Sequence, residues 1–454
     1  MNVNRAKQKF IGIVRKDNLL PLLLIVIMHL AFFILALNFK GIYSGDSPEY
    51  LNAADNISKH GISYTGSFSN QIDPALYSYR TPGYPLFIAF CKTIYPSDYT
   101  VLIIQNICSI IFLWIICLKL QKAAVFQKYK WMVIAGLFFF PVYLIMVNMV
   151  LADALLGFIL IAGWLLLIKF IATKNWHFLL LYNIALSCAA LTKPVMMYFW
   201  VPNLAFSIYL IWKYKKIYPV FMAMILALTI GAWSYRNYLW TGYFHYSSIK
   251  MQNLLELNAG SILSYKYDNN YMRAHWRATY ARSDSLATYK EKSEFLLNEA
   301  QKVIMQNPIL YTKMHAKGMF NFMLAPGRID VETFFNLDTS KPVSLLYEIN
   351  KKGLFNGIIF YLKNVNILLI LMVFLIAIWN VISLSLLLAS FYSNKIEILQ
   401  KIFLFLLILY IVFACGPGGY ARFKTSIYPF VLYLIPFGVP VISDGLKKLL
   451  CGRY

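Results

Sequence analysis

The chain has 454 residues, of which 60% are hydrophobic and 13% charged, against roughly 45–50% and about 25% in soluble globular domains. With a mean hydropathy of +0.60, this excludes an ordinary soluble globule. The net charge of +23, from 42 Lys and Arg against 19 Asp and Glu, has no compact basic cluster or RNA-binding signature with it. It is assigned to cytoplasmic connections and lipid headgroups, not to nucleic acid.

Apolar runs lie near residues 19–39, 100–118, 131–147, 151–168, 177–192, 194–212, 217–235, 365–390, 396–415 and 426–444. A charge-free run of about 20 residues crosses a ~30 Å hydrocarbon core as a helix, so the expected fold class is an all-α polytopic membrane protein with about ten transmembrane helices. The first run is too long for a signal-peptide core and no A-x-A-like site follows it, so it reads as a retained span.

Positive charge sets the orientation. Arg5, Lys7, Lys9, Arg15 and Lys16 precede the first run; Lys119, Lys122, Lys128 and Lys130 follow the second; Lys169 and Lys174 follow the fourth. Lys213, Lys215 and Lys216 follow the sixth, Lys395 and Lys401 lie together at the start of the ninth, and Lys447, Lys448 and Arg453 follow the tenth. Every second connection is therefore expected in the cytoplasm, with both termini inside. The expected organisation is an N-terminal transmembrane module, 1–236, with an outer loop at 40–99, then an outer segment at 237–352, then C-terminal spans in 353–454. A helix is expected near 286–306, closed by Asn307-Pro308, and 354–363 is too short to cross.

The first outer loop opens on GDSPEY. Ser47 suits an N-cap, Pro48 a first helical position and Gly61 a helix end, which sets Asp46 beside a helix start. Asp46 is either a solvated helix-start residue or a functional carboxylate at the outer mouth of the first span. The loop ends SYRTPGYP, where Pro82, Gly83 and Pro85 are expected to forbid a regular helix and fix a bend. Arg80 on that bend either forks onto phosphate oxygens or snorkels to headgroups. Asp153 is either the N-cap of the fourth span or a second outer carboxylate. Lys193, Arg236, Arg422 and Lys424 fall on the same side, where short connections are usually poor in cations. Glu49, Tyr50 and Tyr84 are further candidates for substrate contact.

No H-E-x-x-H, Walker, GxSxG or dinucleotide-binding pattern stands in a fitting context. The six cysteines form no C-x-x-C pair and read as neither a disulfide framework nor a zinc site. Inside the expected spans, away from their ends, His29 is the lone ionisable side chain, read as a packed, hydrogen-bonded residue. Ion-coupled transport generally needs intramembrane carboxylates, which disfavours that class.

Four places together resemble the polyprenyl-phosphate-sugar-dependent GT-C glycosyltransferases, in the branch of the protein O-mannosyltransferases and the bacterial aminoarabinose transferase of lipid A. Asp46, Tyr50 and Ala54 match a D-x-x-x-Y-x-x-x-A pattern. RTPGYP resembles the basic, proline-rich close of the first loop, Leu151-Ala152-Asp153 resembles the second-loop acid, and Arg422 to Pro429 resembles a late Arg/Pro segment. SYRNYLWTGYF, around Arg236, also resembles the family. The resemblance implies Asp46 as catalytic base, Asp153 as second acid, and Arg80, Arg422, Lys193 and Arg236 as donor-phosphate ligands. Two departures are that Ser47 follows Asp46 where several relatives carry an acid, and that nine residues follow Gly445.

The expected activity is inverting transfer of a sugar from a polyprenyl-phosphate donor to an acceptor hydroxyl at the outer face of a bacterial cytoplasmic membrane. The acceptor is a glycan, lipid or protein; membrane lipids are partners and nucleic acid is not. No metal or other cofactor is demanded, since phosphate is a good leaving group, although a divalent ion stays open. Two alternatives are a flippase of lipid-linked glycan and a non-catalytic envelope-assembly protein.

Overall fold

A computed structural model describes residues 16–122, 129, 131–337 and 352–451. Among these there is no β-strand, and seven helical segments are long and apolar enough to cross a membrane. The coarse expectation of a helical membrane protein holds, and three shorter apolar helices, Gly83–Ile94, Trp176–Thr192 and Ile398–Ala414, accompany the seven. Arg5, Lys7, Lys9, Arg15, Lys128, Lys130 and Arg453, on which part of the orientation argument rests, lie outside the described residues.

Helix α1 is Lys16–Phe39, followed by α2, Ser47–His60, and α3, Gly83–Ile94. Then come α4, Asp98–Lys122, α5, Trp131–Phe139, α6, Val142–Val147, and α7, Ala152–Thr173. The bundle continues with α8, Trp176–Thr192, α9, Trp200–Tyr214, and α10, Tyr218–Thr241. A helix running through Ile249–Gln252, a π-helical turn Asn253–Ala259 and Gly260–Lys266 opens a second long connection. It contains α11, Asn269–Asp284, α12, Tyr289–Met305, α13, Pro308–Leu324, and α14, Arg328–Phe334. The chain then forms α15, Leu354–Asn364, α16, Ile367–Ser390, α17, Ile398–Ala414, and α18, Tyr428–Cys451.

The run at 131–147 departs most from expectation. It breaks at Phe140-Pro141 into the short helices α5 and α6, because proline lacks the N–H that the preceding turn needs and its ring crowds the carbonyl of that turn. Both α8 and α17 are 17 residues long, at the short edge of the ~17–25 residues that cross a bilayer. The segment at 354–363 is the eleven-residue α15, too short to cross, as expected.

The helix ends follow local chemistry. Gly61 and Gly242 stop α2 and α10 in the left-handed region at φ 68° and 70°. Lys174 and Lys215 stop α7 and α9 in the same region at φ 56° and 55°; the backbone strain is partly offset by a cation at the negative helix end. Lys174 Nζ donates to the Tyr214 hydroxyl at 3.0 Å, so these two lysine-rich turns share one end of the bundle. Thr288 and Glu291 close a reciprocal capping box at the start of α12, within the helix expected at 286–306.

The main core runs through the bundle, while Leu255, Ile262, Trp276, Leu296 and Val303 form a small separate core inside the second long connection. His29 is buried and bonded, with Nδ1 2.8 Å from the Ile25 carbonyl and Nε2 2.8 Å from Ser109 Oγ. That is the packed role expected of it. Cys91, Cys108, Cys117, Cys188 and Cys415 are free thiols.

Candidate active site

Five segments meet at the end of the bundle opposite Lys174 and Lys215, and each is brought there by an identifiable contact. The 40–47 connection is pinned to the turn before α7: the Ser47 hydroxyl donates to the Val150 carbonyl at 2.9 Å and the Val150 N–H donates to the Ile42 carbonyl at 2.9 Å. That brings the residues around Asp46 to the turn that leads into Asp153. The turn itself is held from below by Gln105, whose carboxamide donates to the carbonyls of Val147 and Met149 at 2.8 and 3.1 Å. Gly83 allows the Arg80 loop to approach the last turn of α8, since a Cβ there would lie 2.7 Å from Thr192 Oγ1 and 2.8 Å from the Leu191 carbonyl oxygen. Lys193 is the next residue. Gly157 on α7 likewise lies against Ser426, a Cβ there standing 3.1 Å from the Ser426 carbonyl oxygen, which docks the 3-10 turn Ala421–Ser426 and with it Arg422.

Two local expectations are corrected here. Ser47 does not cap α2; it is the first helical residue, and Asp46 occupies the cap position without capping any N–H. Two guanidinium groups hold the Asp46 carboxylate instead, a charge-assisted interaction stronger than a bond to a neutral amide. Pro82, Gly83 and Pro85 do not exclude a helix either. They begin α3, where the missing N–H of proline would lack an intrahelical partner in any case.

Arg80 is the hub. Its Nη2 donates to Asp46 Oδ1 at 2.9 Å and to Glu49 Oε2 at 2.6 Å, and its Nε donates to Glu49 Oε2 at 3.2 Å. Its carbon centre stands 4.9 Å from the Tyr50 ring and 5.0 Å from the Tyr79 ring, within cation–π range. At 6% exposure it is packed in protein and does not snorkel. Arg422 Nη2 donates to Asp46 Oδ2. Alongside, Lys193 Nζ donates to Asp153 Oδ1 and stands 4.6 Å from the Phe423 ring. Asp153 is 1% exposed and lies in the first turn of α7, with Leu151 at the cap position. It is therefore an ion-paired residue and not an N-cap.

These are three cations against three carboxylates, interlocked and largely out of water. Burial raises the Asp46 carboxyl, but Arg422 and then Arg80, with Lys193, outweigh it and hold it down to about 2. The same ion pairs raise both arginines above their ordinary range, although burial opposes this. Asp46 is thus a carboxylate at every physiological pH, with weak affinity for a proton while both guanidiniums face it.

The other candidates divide. Tyr50 is buried under Arg80, and its ring meets that of Tyr84 edge-on at 5.0 Å. Tyr84 is wholly buried and donates to Gln105 Oε1 at 2.9 Å, so it supports the site from beneath. Arg236 is not brought into the cluster. Its guanidinium donates to the carbonyls of Tyr77 at 2.5 Å and Ser63 at 2.9 Å, fastening the first long connection to α10. Lys424 is also apart: buried, it donates to the Met323 carbonyl at 3.0 Å and Asn380 Oδ1 at 2.7 Å, with its Nζ 3.9 Å from the Phe140 ring. Burial without a carboxylate lowers its proton affinity well below the ordinary value.

Asp330, on α14, escaped the sequence reading. It is 6% exposed, its Oδ2 has no hydrogen-bond partner, and it lies within electrostatic reach of Arg422 and Asp153. Its local signal is slight: an acid three residues after a glycine, Gly327, that sits at φ 73° and starts α14. A separate cavity of about 260 Å³, lined in part by Ser234, Tyr243, His245, Lys250 and Leu297, connects to the Arg80 loop through His245, whose Nε2 is 2.6 Å from Ser78 Oγ. It is smaller than the roughly 300–1,000 Å³ of sites for drug-sized ligands. No protein-family model matches the chain, and no curated protein matches it.

Proposed function

We propose that the protein is an inverting membrane glycosyltransferase that moves a sugar from a polyprenyl-phosphate donor to an acceptor hydroxyl. The reaction is placed at the outer face of a bacterial cytoplasmic membrane, with both termini cytoplasmic. The observation that carries the reading is the convergence of Asp46, Glu49, Arg80, Asp153, Lys193 and Arg422, drawn from five segments, into one half-buried cluster at one end of an apolar helical bundle. A lipid-linked phosphate presents its headgroup at that depth. The order of these residues along the chain also fits the resemblance to the polyprenyl-phosphate-dependent GT-C enzymes.

The chemistry follows from the electrostatics. Arg80 and Arg422 are the groups positioned to take the donor phosphate, and a guanidinium fork matches phosphate oxygens. Each must then give up part of its hold on Asp46. As it does so the proton affinity of the Asp46 carboxylate rises toward that of an ordinary aspartate, which couples donor binding to the creation of a base. The acceptor oxygen attacks the anomeric carbon and the bond from that carbon to the phosphate oxygen breaks. The bonding pair leaves on the phosphate, held by Arg80 and Arg422, and the acceptor proton passes to Asp46. Asp153, fixed by Lys193, orients the acceptor hydroxyl.

Incubating the purified protein with a panel of polyprenyl-phosphate sugars and following release of polyprenyl phosphate tests the reading. Release with at least one donor, abolished in Asp46→Asn, is expected. No release with any donor and acceptor mixture would remove the enzymatic reading.

A further inference from the structure

Asp330 is a buried carboxyl beside the cluster that none of its three cations holds. The groups that face it are Arg422 and Tyr420, on the segment before α18, and Asp153 at the start of α7. On its own helix Arg328 and Glu332 pair with each other at 2.6 Å. Gly327 sets the approach: a Cβ there would lie 3.2 Å from both Asp330 Oδ2 and the Ala421 methyl, so α14 rests directly on the segment that carries Arg422. Two charged side chains in this seam keep an atom without a hydrogen-bond partner, Asp330 Oδ2 and Arg422 Nε, while the Tyr420 hydroxyl meets the backbone of Ile329 and Asp330. A buried polar group left unpaired loses its hydration without a replacement bond. Two in one seam, on side chains of opposite charge that do not pair with each other, point to a polar ligand that bonds to both.

A carboxylate in that position would repel an anion, whereas a neutral carboxylic acid would donate to it. We infer that Asp330 is the proton-bearing carboxyl of the site, donating its O–H to a phosphodiester oxygen of the ligand that Arg422 Nε also reaches. Burial favours the neutral form and Asp153 adds to this, while Arg422 opposes it; the net result is a carboxyl raised to about 7. The O–H is therefore present below about pH 7 and lost above it, and binding to the ionised form takes up one proton from solvent. The choice of ligand rests on the glycosyl-phosphate reading above, and the role of the residue rests on the seam.

The test is binding to the full chain in lipid nanodiscs between about pH 6 and 8. The probes are a farnesyl phosphodiester, whose single charge does not titrate in that range, and dimethyl phosphate as a probe without a lipid chain. Wild-type affinity should fall about tenfold per pH unit above pH 7, as uptake of one proton requires. Asp330→Asn, whose amide is a permanent donor, should bind with an affinity that varies less than about threefold over the range. Asp330→Ala should bind about tenfold to a hundredfold more weakly than wild type at pH 6, the loss of one charge-assisted bond. Infrared difference spectra between pH 6 and 8 should show a carboxylic-acid stretch in wild type that is missing in Asp330→Asn. A wild-type affinity independent of pH, the same pH dependence in Asp330→Asn, or no difference in the acid stretch would each overturn the inference. Binding of dimethyl phosphate with this pH dependence, without binding of the farnesyl probe, would leave Asp330 as assigned and remove the lipid donor. Failure of both probes to bind wild type would overturn the donor role of Asp330 itself.

Discussion

Replacing Asp46 by Asn removes one charge and little volume, and two effects of different size follow. The carboxyl is held at about 2 against an ordinary 3.8, so the fold favours its charged form by about 2 kcal/mol, at roughly 1.4 kcal/mol for each tenfold change in proton affinity. With the side chain 28% exposed that figure needs only a modest discount. Its sign is that of a depressed acid: the stabilisation is complete above the unfolded value near 4 and disappears as the pH falls through about 2. Asp46→Asn should therefore be less stable than wild type by about 1–2 kcal/mol at neutral pH. The gap should close in acid. Catalytically the loss is larger, because Asn accepts no proton and removal of a general base typically costs about 10²–10⁴ in rate, or roughly 3–5 kcal/mol of barrier. The assay is turnover, measured as polyprenyl phosphate released at a temperature where both proteins are folded. Glu49→Gln serves as a control, since it removes the other carboxylate on Arg80 and leaves Asp46 in place. It should alter donor KM more than kcat. Turnover by Asp46→Asn within about threefold of wild type would refute the base role.

Arg80→Ala should raise the donor KM and lower kcat, while Arg80→Lys should retain more activity than Ala because a point cation remains without the fork; equal kinetics in all three would leave Arg80 a purely structural hub. Gly83→Ala places a methyl against the Leu191 carbonyl and Thr192 Oγ1 and should destabilise the protein by about 1–3 kcal/mol, shifting Lys193 with the corner. Unchanged thermal unfolding would show that the loop and α8 are not packed this closely. Cysteines introduced at the exposed Ser67 and Ser285 should react with an impermeant reagent added outside intact cells, and one at the exposed Lys216 should not. The reverse pattern would invert the orientation and with it the placement of the reaction.

The helices were legible because each apolar run is a local property, and nine of the ten runs became single helices or a 3-10 turn leading into one. Pro141 was in plain view inside the remaining run, where proline chemistry overrides a length criterion. The cluster was legible only in part. Asp46, Asp153, Arg80, Lys193 and Arg422 could be placed at one bundle end from topology, but their pairing could not. Arg422 and Asp46 are 376 positions apart, and the pairing depends on close packing at Gly83 and Gly157 that no local pattern announces. Locally Asp46 resembles a helix start, and the guanidiniums that claim it lie elsewhere in sequence. Arg236 illustrates the converse. It carries the same charge near the same end, yet its donors are consumed by the Tyr77 and Ser63 carbonyls. Asp330 had no signal of comparable weight, since its burial arises only when α14 settles on the segment before α18.

A cryo-electron microscopy structure of the protein with a non-hydrolysable phosphonate analogue of a polyprenyl-phosphate sugar tests the central claim most directly. The phosphonate is expected between Arg80 and Arg422, with the anomeric carbon facing Asp46 and at least one guanidinium withdrawn from the Asp46 carboxylate. A phosphonate bound away from both arginines, with the Arg80–Asp46–Arg422 pairs intact, would contradict it.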